Sequence, residues 1–365
     1  MRHHSTPLSI AIGAALLSLP LATAFAQSAP SVSVGAGMRS SFTHAELDAP
    51  GTAGDAEASD FHLDSARIYL SGKVTENISL MFNTEYNGGD QSLIIMDAAA
   101  QFSFSDAVNI WAGRFLAPSD RSNLYGPYYA SHWGVYKDGV QDGYPMIGSP
   151  GTNGVGRDDG VMYWGQFGLA KVSAGVFDAS NTVGDNAVLS AARLQLDFWD
   201  PEAGYYLNGT YYGEKDLLAV GIAGQGVDGD SAVSVDFLFE KKMGGAGVLT
   251  LEAEAAVYDG LGGYVADTKS EGFYVLGAWL FSPQIGIGKF QVLAKAGVTT
   301  FEDNVAPISP VEVDLTTVEV NLNYIIKQFN ARISAFYIDQ QTSNSVTSAA
   351  DINGSQVGIG LQVQM

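Results

Sequence analysis

The sequence predicts an all-β protein that closes into a transmembrane antiparallel β-barrel. Two patterns favour this class: segments of about 10 residues in which apolar and polar side chains alternate, and short connections that mostly alternate with long ones. The composition agrees, since the 365 residues are 46% hydrophobic and only 16% charged, with a mean hydropathy of +0.08. After residue 26, no segment reaches the ~18 consecutive apolar residues that a membrane helix needs. We therefore expect strands to cross the bilayer.

Residues 1–26 have the three parts of a secretory signal peptide. Arg2 stands near the start, residues 8–24 are largely apolar, and Ala24-Phe25-Ala26 forms a small-x-small cleavage site. The apolar part is short and contains a proline, which argues against a membrane helix. We predict a signal peptide at 1–26 and a single outer-membrane barrel domain at 27–365.

The alternation is clearest towards the C-terminus. Over Thr316–Ile326, Val248–Val257 and Gln356–Met365, aliphatic side chains alternate with Thr, Glu, Asn, Gly or Gln. Strands of soluble sandwiches run for about 5–6 residues, whereas a tilted membrane strand needs about 10. Sustained helical spacing with capping residues is not found. A soluble β-protein remains the alternative.

The number of strands follows from a count of the alternating segments. Alternating segments begin near residues 31, 61, 78, 93, 108, 160, 171, 189, 204, 216, 231, 247, 271, 288, 313, 328 and 354. These are 17 segments, an odd number, but a bacterial barrel with both ends in the periplasm needs an even number of strands. The doubtful region is Leu189–Gln225, where a short link at 213–215 breaks the alternation of connections. We predict 16 strands, with 18 as the alternative, and either number leaves an aqueous lumen.

The charge and the residue types exclude several functions. Acids outnumber bases 39 to 18, which argues against nucleic acid as a partner. The chain has no Cys, which excludes disulfides, thiolate metal sites, Cys nucleophiles and covalent haem attachment. His44, His62 and His132 are far apart and show no ligand spacing. The acidic segment 44–60 is read as solvated surface rather than a site for divalent cations. We predict no cofactor, no metal and no catalytic residue, so the protein is not an enzyme.

One connection, Pro118–Asp159, is far longer than the others, at about 42 residues. Loops of this length are usually functional or disordered, and this one is too aromatic for a disordered segment. We predict that it folds into the lumen as a constriction; an external lid or a trimer latch is the alternative. Its candidate residues are Asp120, Arg121, Tyr125, Tyr128, Tyr129, Trp133, Lys137, Asp138 and Asp142.

The alternation also predicts which charges line the pore. The basic candidates are Arg67, Lys73, Lys171, Arg193, Lys295 and Arg332. The acidic candidates are Glu85, Asp97, Asp197, Asp236, Glu252, Glu254 and Glu319. This is a mixed wall that leans slightly acidic. Tyrosines near the strand ends, namely Tyr86, Tyr205, Tyr211, Tyr258, Tyr324 and Tyr337, are expected in the interfacial aromatic girdles.

Three stretches resemble the family of phosphate-selective porins O and P. They are Ala66–Lys73, Met96–Ser105 and Trp111–Pro118, the last of which reads Trp-Ala-Gly-Arg-Phe-Leu-Ala-Pro. The resemblance implies a trimeric, 16-stranded diffusion channel whose third loop folds into the lumen. Phosphate selectivity is not expected, because the family lines its pore with rows of Arg and Lys and this chain has few basic residues.

The expected function is passive diffusion of small hydrophilic solutes or ions, non-specific or weakly cation-preferring. The expected setting is the outer membrane of a Gram-negative bacterium, with outer-membrane lipid and the barrel assembly machinery as partners and a homotrimer as the assembly. The alternation of Gly358–Met365 fits an assembly signal, although it ends in Met rather than an aromatic residue. Alternatives are a barrel scaffold, adhesin or enzyme acting through its external loops, and a sheath for an electron-transfer partner.

Overall fold

The computed structural model describes residues 31–48, 56–87, 92–135, 157–179, 187–261, 269–303, 311–344 and 352–365. These residues form a closed barrel of 16 antiparallel strands, in which β1 pairs with β16 to complete the ring. The predicted antiparallel barrel and the count of 16 strands are confirmed. The predicted signal peptide lies outside the described residues.

The elements are as follows in chain order. The strands are β1 (Ser31–Asp48), β2 (Ala56–Lys73), β3 (Ile78–Asn87), β4 (Ser92–Ser105), β5 (Val108–Leu116), β6 (Arg157–Phe167), β7 (Ala170–Asp178), β8 (Val188–Asp197), β9 (Leu217–Val227), β10 (Asp230–Lys242), β11 (Gly247–Asp259), β12 (Lys269–Phe281), β13 (Lys289–Asp303), β14 (Val311–Lys327), β15 (Ala331–Asn344) and β16 (Asn353–Gln364). One helix, α1 (Arg121–Tyr129), follows β5. Within the described ranges, no helix is long and apolar enough to span a bilayer.

Most charged and polar side chains of the wall lie inside the barrel, and its outer face is apolar. In β10, Ser234 and Asp236 are buried, whereas Val233 and Val235 are 49% and 47% exposed. Successive side chains of a strand point to opposite faces, so this pattern gives β10 a largely polar inner face and an apolar outer face. An exposed apolar face is the reverse of a soluble sandwich and is typical of a barrel surrounded by lipid.

One predicted segment, near residue 204, is wrong. Residues 198–216 contain no strand and connect β8 to β9. Gly204 and Gly213 have φ values of +84° and +79° there, a conformation that breaks an extended backbone. The remaining predicted segments correspond to β1–β16, so this single error explains the odd number.

The acidic segment 44–60 is also not a single loop, as the sequence had suggested. β1 continues to Asp48 and β2 begins at Ala56, with His44 paired to Ser59 in the ladder. Charged side chains did not end these strands because, at the end of a barrel, both faces of a strand can meet water.

The two ends of the barrel carry different connections. We call the end that holds Ser31 and Met365 the terminal end, and the opposite end the loop end. Because the strands alternate in direction, the β5–β6 connection (117–156) lies at the loop end and the β8–β9 connection (198–216) lies at the terminal end.

Candidate functional site: two segments inside the barrel

Two connections pack against the inner face of the wall. We call the described part of the β5–β6 connection, residues 117–135, the constriction loop, after the role that the sequence predicts for it, and residues 198–216 the inner turn. The constriction loop contacts inward side chains of β11 on one side and of β14–β16 on the other. Arg121 and Tyr128 of the loop and Glu202 of the inner turn have no solvent exposure.

The constriction loop begins with α1, which is fixed to the wall by a carboxylate. Asp120 caps the helix: its side chain accepts from the backbone amide of Asn123 at 2.8 Å. Glu254 of β11 accepts from the amide of Ser122 at 3.2 Å and from its hydroxyl at 3.0 Å. The helix is kinked at Gly126, whose φ is +59°. The kink lets the chain leave the helix axis and continue across the barrel.

A second carboxylate of β11 holds the middle of the helix. Glu252 accepts from the hydroxyl of Tyr125 at 2.8 Å and from that of Tyr274 at 2.6 Å. The ammonium of Lys295 lies 4.2 Å from the ring centre of Tyr274, within the range of a cation–π interaction. Thus two predicted wall acids bind the loop.

The end of the constriction loop is held by its backbone. Arg332 of β15 donates to the carbonyls of residues 130–132 at 2.6, 3.1 and 3.3 Å. Arg39 of β1 donates to the carbonyl of Trp133 at 2.9 Å. Glu319 of β14 accepts from the amides of residues 133 and 134 at 2.8 and 2.9 Å. The two arginines therefore bind carbonyl oxygens and the glutamate binds amide groups, which are the partners that a positive and a negative charge respectively favour.

Two glycines of the wall make room for aromatic side chains of the loop. Trp133 stacks on Phe336, with ring centres 5.5 Å apart and planes 10° from parallel. A Cβ atom at Gly360 would collide with the Trp133 ring, and one at Gly37 would lie 2.7 Å from the Tyr128 ring. The wall is thus shaped around these two rings.

The inner turn is anchored to the wall by one buried carboxylate. Glu240 of β10 accepts from the hydroxyls of Thr210 and Thr250 at 2.6 and 3.0 Å. It also accepts from the amides of Tyr211, at 3.1 and 3.0 Å, and Gly213, at 2.7 Å. The inner turn therefore depends on a single side chain for several of its hydrogen bonds.

An ion pair joins the two segments. The guanidinium of Arg121 donates to both carboxylate oxygens of Glu202, at 2.9 and 2.5 Å. The hydroxyl of Tyr211 donates to the same carboxylate at 2.9 Å. Burial alone would raise the pKa of Glu202, but the guanidinium of Arg121 outweighs it and lowers that pKa below its ordinary value. Glu202 is therefore ionised at neutral pH.

Three tyrosines predicted for the aromatic girdles lie inside instead. Tyr205 donates its hydroxyl to the carbonyl of Leu116 at 2.8 Å, Tyr211 binds Glu202, and Tyr258 is buried beside Tyr274. Tyr205 and Tyr211 belong to the inner turn, so their position near a strand end in sequence does not place them at the lipid interface.

The predicted wall residues differ in burial. Lys73 is exposed and Arg67 is half-buried in an ion pair with Glu85. Arg193 pairs with Asp236, with one of its contacts at 2.8 Å. The buried candidates are Glu85, Asp97, Lys171, Arg193, Asp197, Asp236, Glu252, Glu254, Lys295, Glu319 and Arg332. Of the loop candidates, Lys137, Asp138 and Asp142 lie outside the described residues.

Sequence reasoning missed Arg39, Glu202 and Glu240. Arg39 lies in the alternation of β1, where Ser41 and Thr43 are also buried, so parity alone could have found it. Glu240 ends a similar alternation in β10. Nothing in the sequence marked Glu202 as functional, because the alternation in its segment predicted a strand and not a turn inside the barrel.

Solved structures resemble this chain along almost its whole length. The anion-selective porin of Comamonas acidovorans is 13% identical, with a TM-score of 0.56, over 91% of this chain and 99% of that one. The outer-membrane channel DcaP of Acinetobacter baumannii is 11% identical, with a TM-score of 0.55, over 93% and 99% of the two chains. A loop-deletion variant of OmpT, an outer-membrane protein of Vibrio cholerae, is 14% identical, with a TM-score of 0.54, over 93% and 100%.

These identities are low, so the comparison concerns the fold: the chain has the fold of outer-membrane porins. No protein-family model and no curated protein matches the sequence. The resemblance to the phosphate-selective porins O and P therefore stays a prediction.

Proposed function

We propose that this protein is an outer-membrane porin, a passive channel for small hydrophilic solutes and ions. The observation that carries the proposal is the closed 16-stranded wall, which places many charged and polar side chains inside and an apolar face outside. Barrels of this size enclose an aqueous passage rather than a packed core. The segments that pack against the inner face then set its width.

We further propose that the channel is non-specific or weakly cation-preferring. A strong preference requires charges that face the passing ion. Here Glu252, Glu254 and Glu319 accept hydrogen bonds from the constriction loop, and Arg332 donates to its carbonyls. Charges of both signs therefore hold the loop, and the acids outnumber the base among them, so we expect any preference to be weak and towards cations.

Recording from the purified protein in planar bilayers tests both proposals. Under a KCl gradient, we expect open channels. Their reversal potential should lie slightly away from zero, towards the equilibrium potential of K⁺. The absence of conductance would contradict the channel, and a strong anion preference would contradict the charge argument. Swelling of liposomes in neutral sugars of increasing size should become slower as the sugar grows.

We propose that the protein works as a homotrimer in the outer membrane of a Gram-negative bacterium, inserted among its lipids by the barrel assembly machinery. The exposed apolar side chains of β14, including Val318, Val320 and Leu322, support a lipid-facing surface. Chemical cross-linking in native membranes should give bands up to the trimer; a ladder that stops at the dimer would contradict it.

We propose that the protein does not act as an enzyme, although one grouping calls for a check. At the loop end, the Nδ1 atom of His44 lies 2.9 Å from the hydroxyl of Ser59, and its Nε2 atom lies 3.4 Å from the carboxylate of Glu46. A hydrolase also needs hydrogen-bond donors that stabilise an oxyanion. A solvated cluster of side chains on the surface has no need of such donors. We expect the wild type and Ser59→Ala to hydrolyse a p-nitrophenyl ester at the same background rate. A loss of rate in the variant would favour the enzyme alternative.

A further inference from the structure

The inner turn reaches the constriction loop from the other end of the barrel. We propose that it forms the second half of the constriction, and that the ion pair between Glu202 and Arg121 is the latch that fixes the aperture. This inference rests on the proposed channel function. It makes Glu202 a positioning residue, since it acts by holding the loop.

The first support is that the inner turn binds the backbone of the loop. The amide of Gly209 donates to the carbonyl of Tyr129 at 2.9 Å, and the amide of Leu207 donates to that of Leu124 at 3.3 Å. The last carbonyls of a helix have no partner within the helix. The inner turn supplies such a partner to Tyr129 at the end of α1 and another to Leu124 before the kink at Gly126, so the two segments are joined along the helix as well as at the ion pair.

The second support is the character of the ion pair. Both side chains are fully buried and the guanidinium meets the carboxylate with two nitrogens, an arrangement that fixes orientation as well as distance. The Nε atom of Arg121 also lies 3.5 Å from Asp236 of β10. Arg121 therefore connects the loop, the inner turn and the wall. Removing one partner of a buried pair leaves an uncompensated charge, so the contact should be sensitive to substitution.

The third support is that the inner turn is itself held in place. Glu240 anchors it to β10, as described above, and the ring of Tyr212 packs 5.0 Å from that of Phe329 in the β14–β15 connection. A segment fixed to the wall at two places can hold the loop, whereas a free one could not. The aperture is thus set from the terminal end as well as from the loop end.

The test is a comparison of single-channel conductance. In Glu202→Gln the shape is kept and the charge is lost, so we expect the loop to loosen and the open conductance to rise about twofold, with more noise. Glu214→Gln is the matched control, because it removes the same charge from an exposed position of the same turn. The control should conduct like the wild type.

A double-mutant cycle separates the latch from simple loss of charge. If the two side chains act as one pair, Arg121→Gln/Glu202→Gln should conduct no more than the stronger single variant. Effects that multiply, or a Glu202→Gln channel equal to Glu214→Gln, would overturn the latch. If Glu202→Gln fails to fold, Glu202→Asp should show the same change in smaller measure, and an unchanged conductance there would also overturn it. A silent wild type would instead contradict the channel function.

Discussion

The constriction loop and the inner turn pack inside the same barrel, but they are held in different ways. The loop is bound from both sides of the wall, by the acids of β11 at its start and by Arg332, Arg39 and Glu319 at its end. For the inner turn, Glu240 alone provides several of the anchoring hydrogen bonds. We infer that the loop tolerates the loss of one contact better than the turn does.

The largest effect is therefore expected at Glu240. In Glu240→Ala, the buried amides of the inner turn and the hydroxyls of Thr210 and Thr250 lose their acceptor. Each unpaired buried donor costs about 1–3 kcal/mol, so we expect a loss of roughly 3 kcal/mol or more. On a denaturing gel, the band of the folded barrel should convert to the band of the unfolded chain at a lower temperature than in the wild type.

Glu214→Ala, in the exposed part of the same turn, is the control for this change and should unfold like the wild type. Equal unfolding temperatures for both variants would mean that the inner turn is not anchored by Glu240.

A smaller effect is expected when the end of the loop is released. Arg332→Ala removes the donor for the carbonyls of residues 130–132, but Arg39 and Glu319 still hold the neighbouring residues. Hydrogen bonds to a charged group contribute about 1.5–3 kcal/mol, and we expect a loss of that order. Single-channel records should show frequent switching between conductance levels.

The control for Arg332→Ala is Lys327→Ala at the exposed end of β14, which also removes a positive charge. Switching of the same kind in Lys327→Ala would show that the effect comes from net charge and not from the carbonyl contacts.

The difference between the two segments also shows what sequence can reveal. The inward position of Asp236 and Glu319 could be predicted, because a strand has a strict period of two. In the inner turn, Tyr205, Leu207 and Tyr211 also recur at even spacing, and all three pack inside the barrel. Periodicity reports that alternate side chains have different surroundings, but it does not say whether the neighbour is another strand or a loop in the lumen.

The contacts of the loop were beyond the sequence for a different reason. Trp133 could be recognised as a candidate from its type, but its partners Arg39, Phe336 and Gly360 come from three strands far apart in the chain. Moreover, Arg332 binds backbone carbonyls, and every residue type has one, so the sequence does not show which residues are its partners. Only the closed topology brings these groups together.

The fit of the wall around the loop gives a third prediction. In Gly360→Ala the new methyl group would collide with the ring of Trp133, and overpacking of this kind costs about 1–3 kcal/mol. We expect a shifted Trp fluorescence spectrum and a modest loss of thermal stability. Gly354→Ala on the same strand is the matched control, because its nearest contacts would be at 3.8 Å. Identical spectra for the two variants would mean that Trp133 does not occupy this position.

The smallest effect is expected from pH. Arg121 lowers the pKa of Glu202, so the ionised carboxylate stabilises the folded state at every pH above the ordinary pKa of a glutamate. This stabilisation is lost as the pH falls through the lowered pKa. The wild-type conductance should stay constant as the pH falls from neutral to the ordinary glutamate pKa of 4.5, and should rise only below it. Glu202→Gln should lack this acidic rise. A rise of the same size in both proteins would assign it to other groups.

The central claim, that the constriction loop and the inner turn meet inside the barrel, can be tested by cross-linking. The chain has no Cys, so Leu124→Cys/Leu207→Cys introduces its only thiols, at two positions that belong to one buried cluster. Leu124→Cys/Leu315→Cys, whose positions lie in different clusters, is the control. We predict that oxidation of the folded protein forms a disulfide in the first pair alone and leaves its conductance at the wild-type value. Two free thiols in the folded first pair, or a disulfide formed equally in the control, would contradict the account.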